Sequence, residues 1–368
     1  MPEFEAPGVD LRFSGLGPFT FVGAMSGTSL DGLDLVKVNF WKDDPEEPWK
    51  KEVLDVRFIP YEGSRWATDL PAAYTASREQ RHQTSEAYSV WLNEQLKNFI
   101  AGTSVHAIAS HGHTVAHEPT KGITLQIGNT PSLAKGLGVP VICDFRVADV
   151  ARGGQGAPLV PVADAMLYGN YLVCLNLGGF SNASWDQAGQ RRAGDLGPAN
   201  FILNPYAQAL GHAYDPAGEL ARSGQADTPT LKALQARSFY QQPFPKSLAR
   251  EWVEDQVEAL LKPLDPLTAL ATATEHCAWA VAHGLKQAPP GEVLVTGGGA
   301  RNIYLMERIA ALLGRTLHIP EEIELDFKEA ICFAFLGLLR LRGEKNVWAS
   351  VTGGPIDGCD GTVFEYST

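Results

Sequence analysis

Basic residues are scarce relative to acidic ones in this sequence of 368 residues. It contains 30 lysine and arginine residues against 42 aspartate and glutamate residues, which gives a formal net charge of −12. A chain with this charge is not expected to wrap nucleic acid, although local basic patches remain compatible with it. If such a protein handles phosphates, it must concentrate backbone N–H groups, positive charge and metal in one place.

Cysteine is also scarce, and long apolar runs are absent. No two cysteines have a spacing typical of zinc ligands, and four lie in apolar segments; the five are Cys143, Cys174, Cys277, Cys332 and Cys359. Reduced, buried thiols fit a cytoplasmic protein. No run of 18 apolar residues predicts a transmembrane helix, and the N-terminus lacks the basic and apolar regions of a signal peptide. We therefore predict a cytoplasmic protein with no membrane partner.

Apolar residues make up 45% of the chain, as in globular proteins. The length predicts about two domains. We place the first at residues 1–150, completed by residues 340–368, and the second at residues 151–340. The glycine-rich segment 152–161 near their boundary is typical of either a hinge or a ligand loop.

Residues 19–40 predict a β-hairpin with a polar turn. Apolar runs on both sides are typical of buried strands, and the turn between them reads SGTSLDG. Backbone N–H groups in such a turn can bind phosphate, and Asp31 and Asp34 can hold Mg²⁺ or its waters. The turn is not a P-loop, because it has no lysine and a strand follows it. On this stretch alone, an ordinary Asp-Gly hairpin is an equal alternative.

The same pattern recurs about 155 residues later. Residues 171–186 read as a strand, a Gly178–Gly179 turn and a second strand, which suggests an internal duplication. Residues 292–299 then form a strand that ends in three glycines, where a backbone can approach adenine or ribose closely. These three units are the layout of a two-domain nucleotide clamp, whose cleft would exclude water on closing.

The remaining pattern alternates strands and helices. Strands are expected at 52–61, 106–110, 122–128 and 139–144, a tight turn at 194–200, and helices at 84–100, 131–138, 201–212, 228–240, 247–262, 266–286, 302–313 and 325–341.

Nine ordered blocks resemble the anhydro-N-acetylmuramic acid kinase family and span residues 20 to about 365. They are MSGTSLDGLD (25–34), SHGHTVAHEP (110–119), TLQIGN (124–129), DFRVADVARGGQGAPLVP (144–161), NLGGFSN (176–182), DLGPAN (195–200), PKSLARE (245–251), VTGGGARN (295–302) and DFKEAICFAFLG (326–337).

The resemblance implies an α/β, two-domain sugar kinase, Hsp70 and actin (ribonuclease H-like) fold with a cleft between the domains. It also implies ATP, Mg²⁺, a small amino sugar as substrate and a homodimer. The family opens the 1,6-anhydro ring of its sugar with water and phosphorylates O6 during cell-wall recycling. The products are N-acetylmuramic acid 6-phosphate and ADP.

By the same resemblance, Asp195 is the base that activates water. One carboxylate can suffice, because the phosphoryl group takes the charge that develops on O6, whereas ordinary glycosidases need two. On the residues alone, Asp195 would be read as an aspartate that caps a turn.

The nucleotide is expected to bind at two hairpins and one glycine turn. The phosphates are assigned to Gly27, Thr28, Ser29, Leu30, Asp31, Gly32, Leu33 and Asp34, with Gly178, Gly179 and Asn182 on the second hairpin. The adenosine is assigned to Gly297, Gly298, Gly299 and Asn302, and the metal to Asp31 or Asp34.

The sugar is assigned to His113, Thr114, Arg146 and Glu329. Arg146 suits a carboxylate, or else forms a structural ion pair. Glu329 is alternatively a helix N-terminal acid. His111, His113 and His117 lack the spacing of a metal site, so hydrogen bonding near the sugar is favoured.

Three blocks depart from the family pattern, which usually reads HGQTV, DTGPGN and KSTGRE. Here His113, Leu196 and Ala199 differ near the expected sugar site, and residues 246–251 read KSLARE. Two alternatives therefore stay open: a kinase of an ordinary hexosamine, and a nonenzymatic ATP switch.

Overall fold

The computed structural model describes residues 9–27 and 29–365, so the expected phosphate ligand Thr28 lies outside the described residues. The chain divides into two compact units. The first contains the described residues up to Leu167 and those from Phe327 onward, and the second contains Tyr168–Asp326. Each unit is built on its own sheet.

The described residues form twelve strands: β1 (Phe19–Ser26), β2 (Gly32–Trp41), β3 (Lys50–Pro60), β4 (Ala107–Glu118), β5 (Ile123–Ile127), β6 (Val141–Cys143), β7 (Val173–Leu177), β8 (Phe180–Gln187), β9 (Gln190–Pro198), β10 (Val293–Thr296), β11 (Leu317–His318) and β12 (Thr362–Phe364).

The α-helices of the same residues are α1 (Trp66–Ala72), α2 (Arg78–Ile100), α3 (Val147–Ala151), α4 (Val160–Leu167), α5 (Asn200–Ala209), α6 (Glu219–Ser223), α7 (Thr228–Gln235), α8 (Arg250–Val253), α9 (Ala259–Leu261), α10 (Pro266–Gly284), α11 (Ile303–Leu313), α12 (Glu322–Leu341) and α13 (Ala349–Thr352). A π-helical turn, Glu254–Glu258, joins α8 to α9.

The two sheets have the same strand order. The first runs β3-β2-β1-β4-β6, with β12 beyond β6 and β5 paired with β4, and the second runs β9-β8-β7-β10-β11. In each, three strands form an antiparallel meander, and two more add in parallel beside the first strand. The predicted α/β fold is confirmed, and the repeated order agrees with an internal duplication.

The predicted hairpin at residues 19–40 is present as β1 and β2. Phe21, Val22, Leu35 and Val36 are all fully buried, because the sheet is covered on both faces here. Helix α12 covers one face closely: a Cβ on Gly23 would collide with the carbonyl group of Ala330. The glycine therefore lets this helix pack directly on the central strand.

The division into units differs from the sequence-based boundaries at residues 150 and 340. Segment 151–167 belongs to the first unit, where Asp164 pairs with Lys328 at 2.6 Å in a buried salt bridge. The helical residues from Phe327 onward also belong there, because α12 packs on β1 and, through Gly337, on Ala109 of β4. The glycine-rich segment 152–161 thus lies within the first unit, which continues to Leu167.

The prediction of a tight turn at residues 194–200 was wrong. Those residues complete β9 and begin α5, and β9 pairs with β8 from Gln187↔Gln190 to Phe180↔Pro198. The glycines and proline of this stretch favoured a turn when only the sequence was considered. In the structure the glycines instead allow neighbouring elements to pack closely on β9. A Cβ on Gly197 would come within 2.7 Å of the Ala280 side chain of α10.

Strand β3 forms one edge of the first sheet and is exposed along much of its length. Charged side chains occupy five of its positions: Lys50, Lys51, Glu52, Asp55 and Arg57. None of the helices in the described part of the chain is long and apolar enough to cross a membrane.

Candidate active site

The turn between β1 and β2 is shaped by its own polar groups. Ser29 Oγ donates to Asp31 Oδ1 at 2.7 Å, and the Gly32 N–H donates to the same oxygen at 3.0 Å. Leu30 has a left-handed backbone with φ of 61°, and its N–H donates to the Gly27 carbonyl oxygen at 3.3 Å. The Leu33 side chain is buried in the core. A ligand at this turn would therefore meet the backbone and the exposed side chains of Ser29 and Asp31.

Asp31 and Asp34 supply oxygen donors of the kind that Mg²⁺ prefers. No cluster of three or more histidine, cysteine, aspartate or glutamate side chains suited to a metal occurs in residues 9–27 and 29–365. Mg²⁺ is commonly held by only one or two carboxylates together with water and substrate phosphates. The two aspartates therefore fit such an ion in their chemistry.

His113 and Thr114 are consecutive residues of β4. The parallel pairing of β1 with β4 sets Ser26 opposite His113, and Ser26 Oγ is 3.0 Å from His113 Nδ1. Gln126 Nε2 lies 3.3 Å from Thr114 Oγ1 and donates to it. Because β4 continues past Ser110, where the predicted strand ended, these residues are strand positions rather than a polar turn.

Arg146 is held in place by two neutral acceptors. Its Nε donates to His111 Nε2 at 3.0 Å, and its Nη1 donates to the Gly156 carbonyl oxygen at 2.7 Å. His111 Nδ1 lies 3.0 Å from the Gly112 carbonyl oxygen, which fixes the proton on Nδ1 and leaves Nε2 as the acceptor. Burial lowers the pKa of His111, and the nearby Arg146 charge adds to this effect. His111 therefore stays neutral and orients the guanidinium.

Buried Asp149 fixes the glycine-rich segment that carries Gly156. Asp149 Oδ2 accepts the Gly156 N–H at 2.7 Å, and Oδ1 accepts the Thr352 hydroxyl at 3.1 Å. Gly156 has φ of 66°, and a Cβ there would lie 2.7 Å from Val150 Cγ2. The segment therefore supports Arg146, whereas the sequence left a hinge and a ligand loop as the alternatives.

Glu329 lies on α12, in the first unit. The residue as a whole is exposed, yet the protein around its carboxyl removes hydration and raises its pKa. The charge of Arg146 opposes this rise, and the charges of Asp164 and Asp31 add to it. In the first unit, the charges of Arg146, a predicted sugar ligand, and of Asp31 in the phosphate turn therefore both act on the Glu329 carboxyl.

Asp195 lies on β9, in the second unit, and one backbone N–H and one hydroxyl orient its carboxylate. Oδ2 accepts the Leu248 N–H at 2.7 Å and the Ser247 hydroxyl at 3.3 Å. The Asp195 N–H donates to the Lys246 carbonyl oxygen at 2.9 Å. A Cβ on Gly194 would come within 2.8 Å of that carbonyl, so glycine permits this approach.

The pKa of Asp195 is raised to about 6. Burial is the main cause, while the hydrogen bonds from Leu248 and Ser247 and the charge of Lys246 lower it. Burial also lowers the pKa of Lys246 to about 8. The Asp195 side chain keeps partial contact with solvent. It is therefore ionised at neutral pH and is a stronger base than an ordinary aspartate.

A row of polar residues crosses the second sheet to Asp195. Asn182 pairs with Asp195 across β8 and β9, and Asn176 of β7 pairs with Asn182. Residues paired in this way face the same side of a sheet. The row ends at Gly297, where a Cβ would come within 2.7 Å of Asn176 Oδ1. The predicted base and the first glycine of the predicted adenosine turn therefore share one sheet face.

A cavity of about 510 Å³ lies beside the glycine turn in the second unit. This is within the usual range for a cofactor pocket. Three of the four predicted adenosine ligands line it, together with residues of α5 and of segment 214–217: Asn200, Leu203, Asn204, Tyr214, Asp215, Pro216, Ala217, Gly298, Gly299, Arg301 and Asn302. Asn302 also caps α11, since its Oδ1 accepts the Leu305 N–H at 2.9 Å.

The second glycine hairpin joins this cavity through α5. The Gly178 carbonyl oxygen accepts the Asn200 N–H at 3.1 Å, and the Gly179 carbonyl oxygen accepts the Phe201 N–H at 3.0 Å. Gly179 itself is open, because a Cβ there would meet no atom closer than 3.9 Å. The backbone at Gly179 is thus not covered closely by neighbouring side chains.

Sequence reasoning missed several residues that shape these sites. They are Ser26, Tyr61, Asn176, Ser247 and Leu248, together with the supporting role of His111. Most lie within or beside the quoted blocks, but their partners are distant in the chain.

A profile described as Anhydro-N-acetylmuramic acid kinase matches residues 19–365. The chain is 35% identical over 360 residues to an anhydro-N-acetylmuramic acid kinase of Pseudomonas savastanoi pv. phaseolicola, covering 91% of this chain and 96% of the relative. It is 37% identical over 373 residues to that of Roseobacter denitrificans, covering 93% and 94%.

Among solved structures, an activator of the 2-hydroxyisocaproyl-CoA dehydratase from Clostridium difficile with bound ADPNP aligns with a TM-score of 0.45 and 11% identity, covering 88% of this chain and 96% of that chain. A ROK family glucokinase from Streptomyces griseus in complex with glucose and AMPPNP aligns with a TM-score of 0.41 and 13% identity, covering 86% and 98%. By the profile and the curated relatives, this chain belongs to the anhydro-N-acetylmuramic acid kinase family.

Proposed function

We propose that this protein is an ATP- and Mg²⁺-dependent kinase that opens 1,6-anhydro-N-acetylmuramic acid with water and phosphorylates O6. The products are N-acetylmuramic acid 6-phosphate and ADP, which places the enzyme in cell-wall recycling and amino sugar catabolism. The family assignment supports the substrate class. The observation that carries the mechanism is the oriented Asp195 carboxylate with its raised pKa.

In the proposed reaction Asp195 removes a proton from a water molecule. The water oxygen bonds to C1 of the sugar as the C1–O6 bond breaks. O6 then bonds to the γ-phosphorus of ATP, and ADP leaves. The phosphoryl group takes up the electron pair that O6 gains, so no second carboxylic acid is needed to protonate the leaving oxygen.

Each unit contributes a distinct set of groups to this proposal. In the first unit, Arg146 is oriented by His111 and Gly156, and we assign it to the lactyl carboxylate of the sugar. Glu329, with a raised pKa, is assigned to sugar hydroxyls or the ring. Asp31 and Asp34 would hold Mg²⁺, which would neutralise charge on the phosphates.

In the second unit, we assign the adenosine of ATP to the cavity beside Gly298 and Gly299. The open Gly179 turn is assigned to its phosphates. Asn182 lies between this nucleotide region and Asp195 on the sheet. An amide there would hydrogen bond to a phosphoryl oxygen without adding charge.

ADP release with a panel of sugars tests the proposal. Purified protein with ATP and Mg²⁺ should release ADP rapidly with 1,6-anhydro-N-acetylmuramic acid, and slowly with N-acetylmuramic acid or N-acetylglucosamine. In ¹⁸O-water, the label should appear at C1 of the product. Release with the reducing sugars alone, without label at C1, would replace the proposal with an ordinary hexosamine kinase.

We further propose a cytoplasmic homodimer, as the resemblance implies. No disulfide joins any of the five cysteines, which all lie in the described part of the chain, and four of them are buried, as expected for reduced thiols. Light scattering after size exclusion should give twice the chain mass of 39.7 kDa. A mass that stays at one chain across concentrations would remove the dimer.

A further inference from the structure

Four side chains form a continuous hydrogen-bonded series inside the first unit. The Tyr88 and Tyr61 hydroxyls are 2.5 Å apart, the Tyr61 hydroxyl is 2.7 Å from Ser26 Oγ, and Ser26 Oγ is 3.0 Å from His113 Nδ1. All four residues are buried, with exposed fractions of 0% for both tyrosines, 2% for Ser26 and 3% for His113. The series starts among the rings of Trp66 and Trp91 and ends at β4.

The direction of these bonds can be worked out from the donors. If Tyr88 donates to Tyr61, Tyr61 to Ser26, and Ser26 to His113 Nδ1, all three hydroxyl protons are used. In the opposite direction His113 Nδ1–H donates to Ser26, and among the described residues the Tyr88 proton is left with Ser26 Oγ alone, a neighbour with which Tyr88 forms no hydrogen bond of ordinary geometry. A buried donor without a well-formed hydrogen bond is disfavoured. The first direction therefore prevails.

This direction determines which ring nitrogen of His113 carries the proton. When Nδ1 accepts from Ser26, a neutral imidazole must carry its proton on Nε2. Burial lowers the pKa of His113 to about 4, so the ring is neutral at pH 7. Within the part of the chain described, Nε2 has no protein partner, and it is not among the enclosed unpaired atoms. It is therefore an N–H donor that no described residue accepts from.

We propose that Tyr61 and Ser26 are positioning residues that hold His113 with its proton on Nε2, so that this N–H donates to an oxygen of a bound ligand. The identity of that ligand rests on the proposed function. His113 lies beside Thr114, and Ser26 directly precedes the phosphate-type turn. The acceptor is thus a hydroxyl or carbonyl oxygen of the sugar, or a phosphoryl oxygen of the nucleotide.

Glutamine offers the same pair of functions as this form of histidine. Its side-chain carbonyl oxygen can accept from Ser26, and its amide nitrogen can donate outward. Leucine fills similar space and does neither. His113→Gln should therefore retain function, whereas His113→Leu should lose it, although both remove the ring. A role in packing alone predicts that the leucine variant is the better tolerated one.

The position of the proton can be measured without any ligand. In protein with ¹⁵N-labelled histidine, long-range proton–nitrogen correlation spectra distinguish protonated from unprotonated ring nitrogens, and His113→Gln identifies the resonance. The wild type should show Nε2 protonated and Nδ1 unprotonated. Tyr61→Phe should reduce the Nε2-protonated population of His113. Tyr240→Phe, which removes a 2.7 Å tyrosine–histidine bond in the second unit, should leave it unchanged.

Kinetics then test the donation to a ligand. His113→Leu should lower kcat/KM about tenfold, the order expected for one neutral hydrogen bond. His113→Gln should stay within about threefold of wild type, and Tyr61→Phe should fall between them. A rise confined to the KM of the sugar would identify a sugar oxygen as the acceptor of the His113 N–H. Weaker binding of AMPPNP alone would identify a phosphoryl oxygen as that acceptor.

A proton on Nδ1 of His113 in the wild type would overturn the proposal. So would a folded His113→Leu variant with unchanged kcat/KM and unchanged AMPPNP affinity. The spectra need no turnover, so they decide the orientation of His113 even if no sugar supports ADP release. That absence of release would count against the proposed function separately.

Discussion

Replacing Asp195 with asparagine should abolish turnover and at the same time stabilise the folded protein. Asparagine keeps an oxygen that can accept the Leu248 N–H, which is 2.7 Å from the carboxylate in the structure. It cannot act as a base, and loss of a general base typically lowers the rate 10²–10⁴-fold. It also cannot ionise, so the cost of holding a charge in a largely buried place disappears.

The sign and size of the stability change follow from the pKa. The pKa of Asp195 is about 6 in the folded protein against a reference of 3.8, mainly because of burial. Between these values the folded protein holds a proton that the unfolded chain has released, so the free energy of unfolding falls as pH rises. A pKa shift of about two units corresponds to about 3 kcal/mol in the free energy of unfolding. Since the carboxyl keeps some solvent contact, we expect about 1–3 kcal/mol at pH 7.

Urea unfolding of wild type and Asp195→Asn at pH 4 and at pH 7 measures this effect. The variant should unfold at higher urea at pH 7, and the two midpoints should converge near pH 4, where the aspartate is protonated. Asp255→Asn, which changes an exposed carboxylate of the same unit, serves as the control. Its urea midpoint should equal that of the wild type at both pH values. Equal midpoints at pH 7, or the same gap at both pH values, would refute the reasoning.

Three further outcomes are expected. The kcat/KM of the wild type should fall about tenfold for each pH unit below 6, as Asp195 becomes protonated, and a pH profile of initial rates at sugar concentrations well below KM locates this step. Gly156→Ala should raise the KM of the sugar without weakening AMPPNP binding, because a Cβ would press on Val150 and shift the carbonyl that holds Arg146. Ala217→Gly should raise the free energy of unfolding by less than about 1 kcal/mol, and the urea midpoint slightly with it, since it relieves a left-handed alanine with φ of 54° but adds freedom to the unfolded chain; a lower midpoint would contradict this.

The hairpins were predictable from sequence because their signal is local. In β1 and β2, apolar residues run almost without interruption up to a glycine-containing turn, and this pattern needs no tertiary information. The second hairpin could be predicted for the same reason. The strand–glycine–helix unit at 292–313 was also visible, because Asn302 both ends the glycine turn and caps the helix.

Strand β9 was missed because its evidence is not local. The residues around Asp195 include two glycines and a proline, which are turn formers by propensity. Their strand conformation depends on pairing with β8 and on the close approach of segment 244–248. Neither partner can be recognised from the residues 194–200 themselves.

The supports of the candidate site were equally hidden. Arg146 could be singled out from its block, but His111 is 35 positions away and nothing in the sequence connects the two. Ser26 lies 87 positions before His113, and only the parallel pairing of β1 and β4 brings them together. Tertiary hydrogen bonds of this kind carry no periodic or spacing signal.

The open edge of the first sheet has a consequence for how the protein behaves at high concentration. At the β9 edge of the second sheet the Asp195 N–H bonds to the Lys246 carbonyl oxygen, whereas no described strand lies beyond β3. An uncovered edge is a template on which other chains can add strands, and closely spaced charges discourage such addition. Lys50, Asp55 and the other charged residues of β3 thus protect the protein against precipitation, and neutral β-branched residues in their place would make it prone to aggregate.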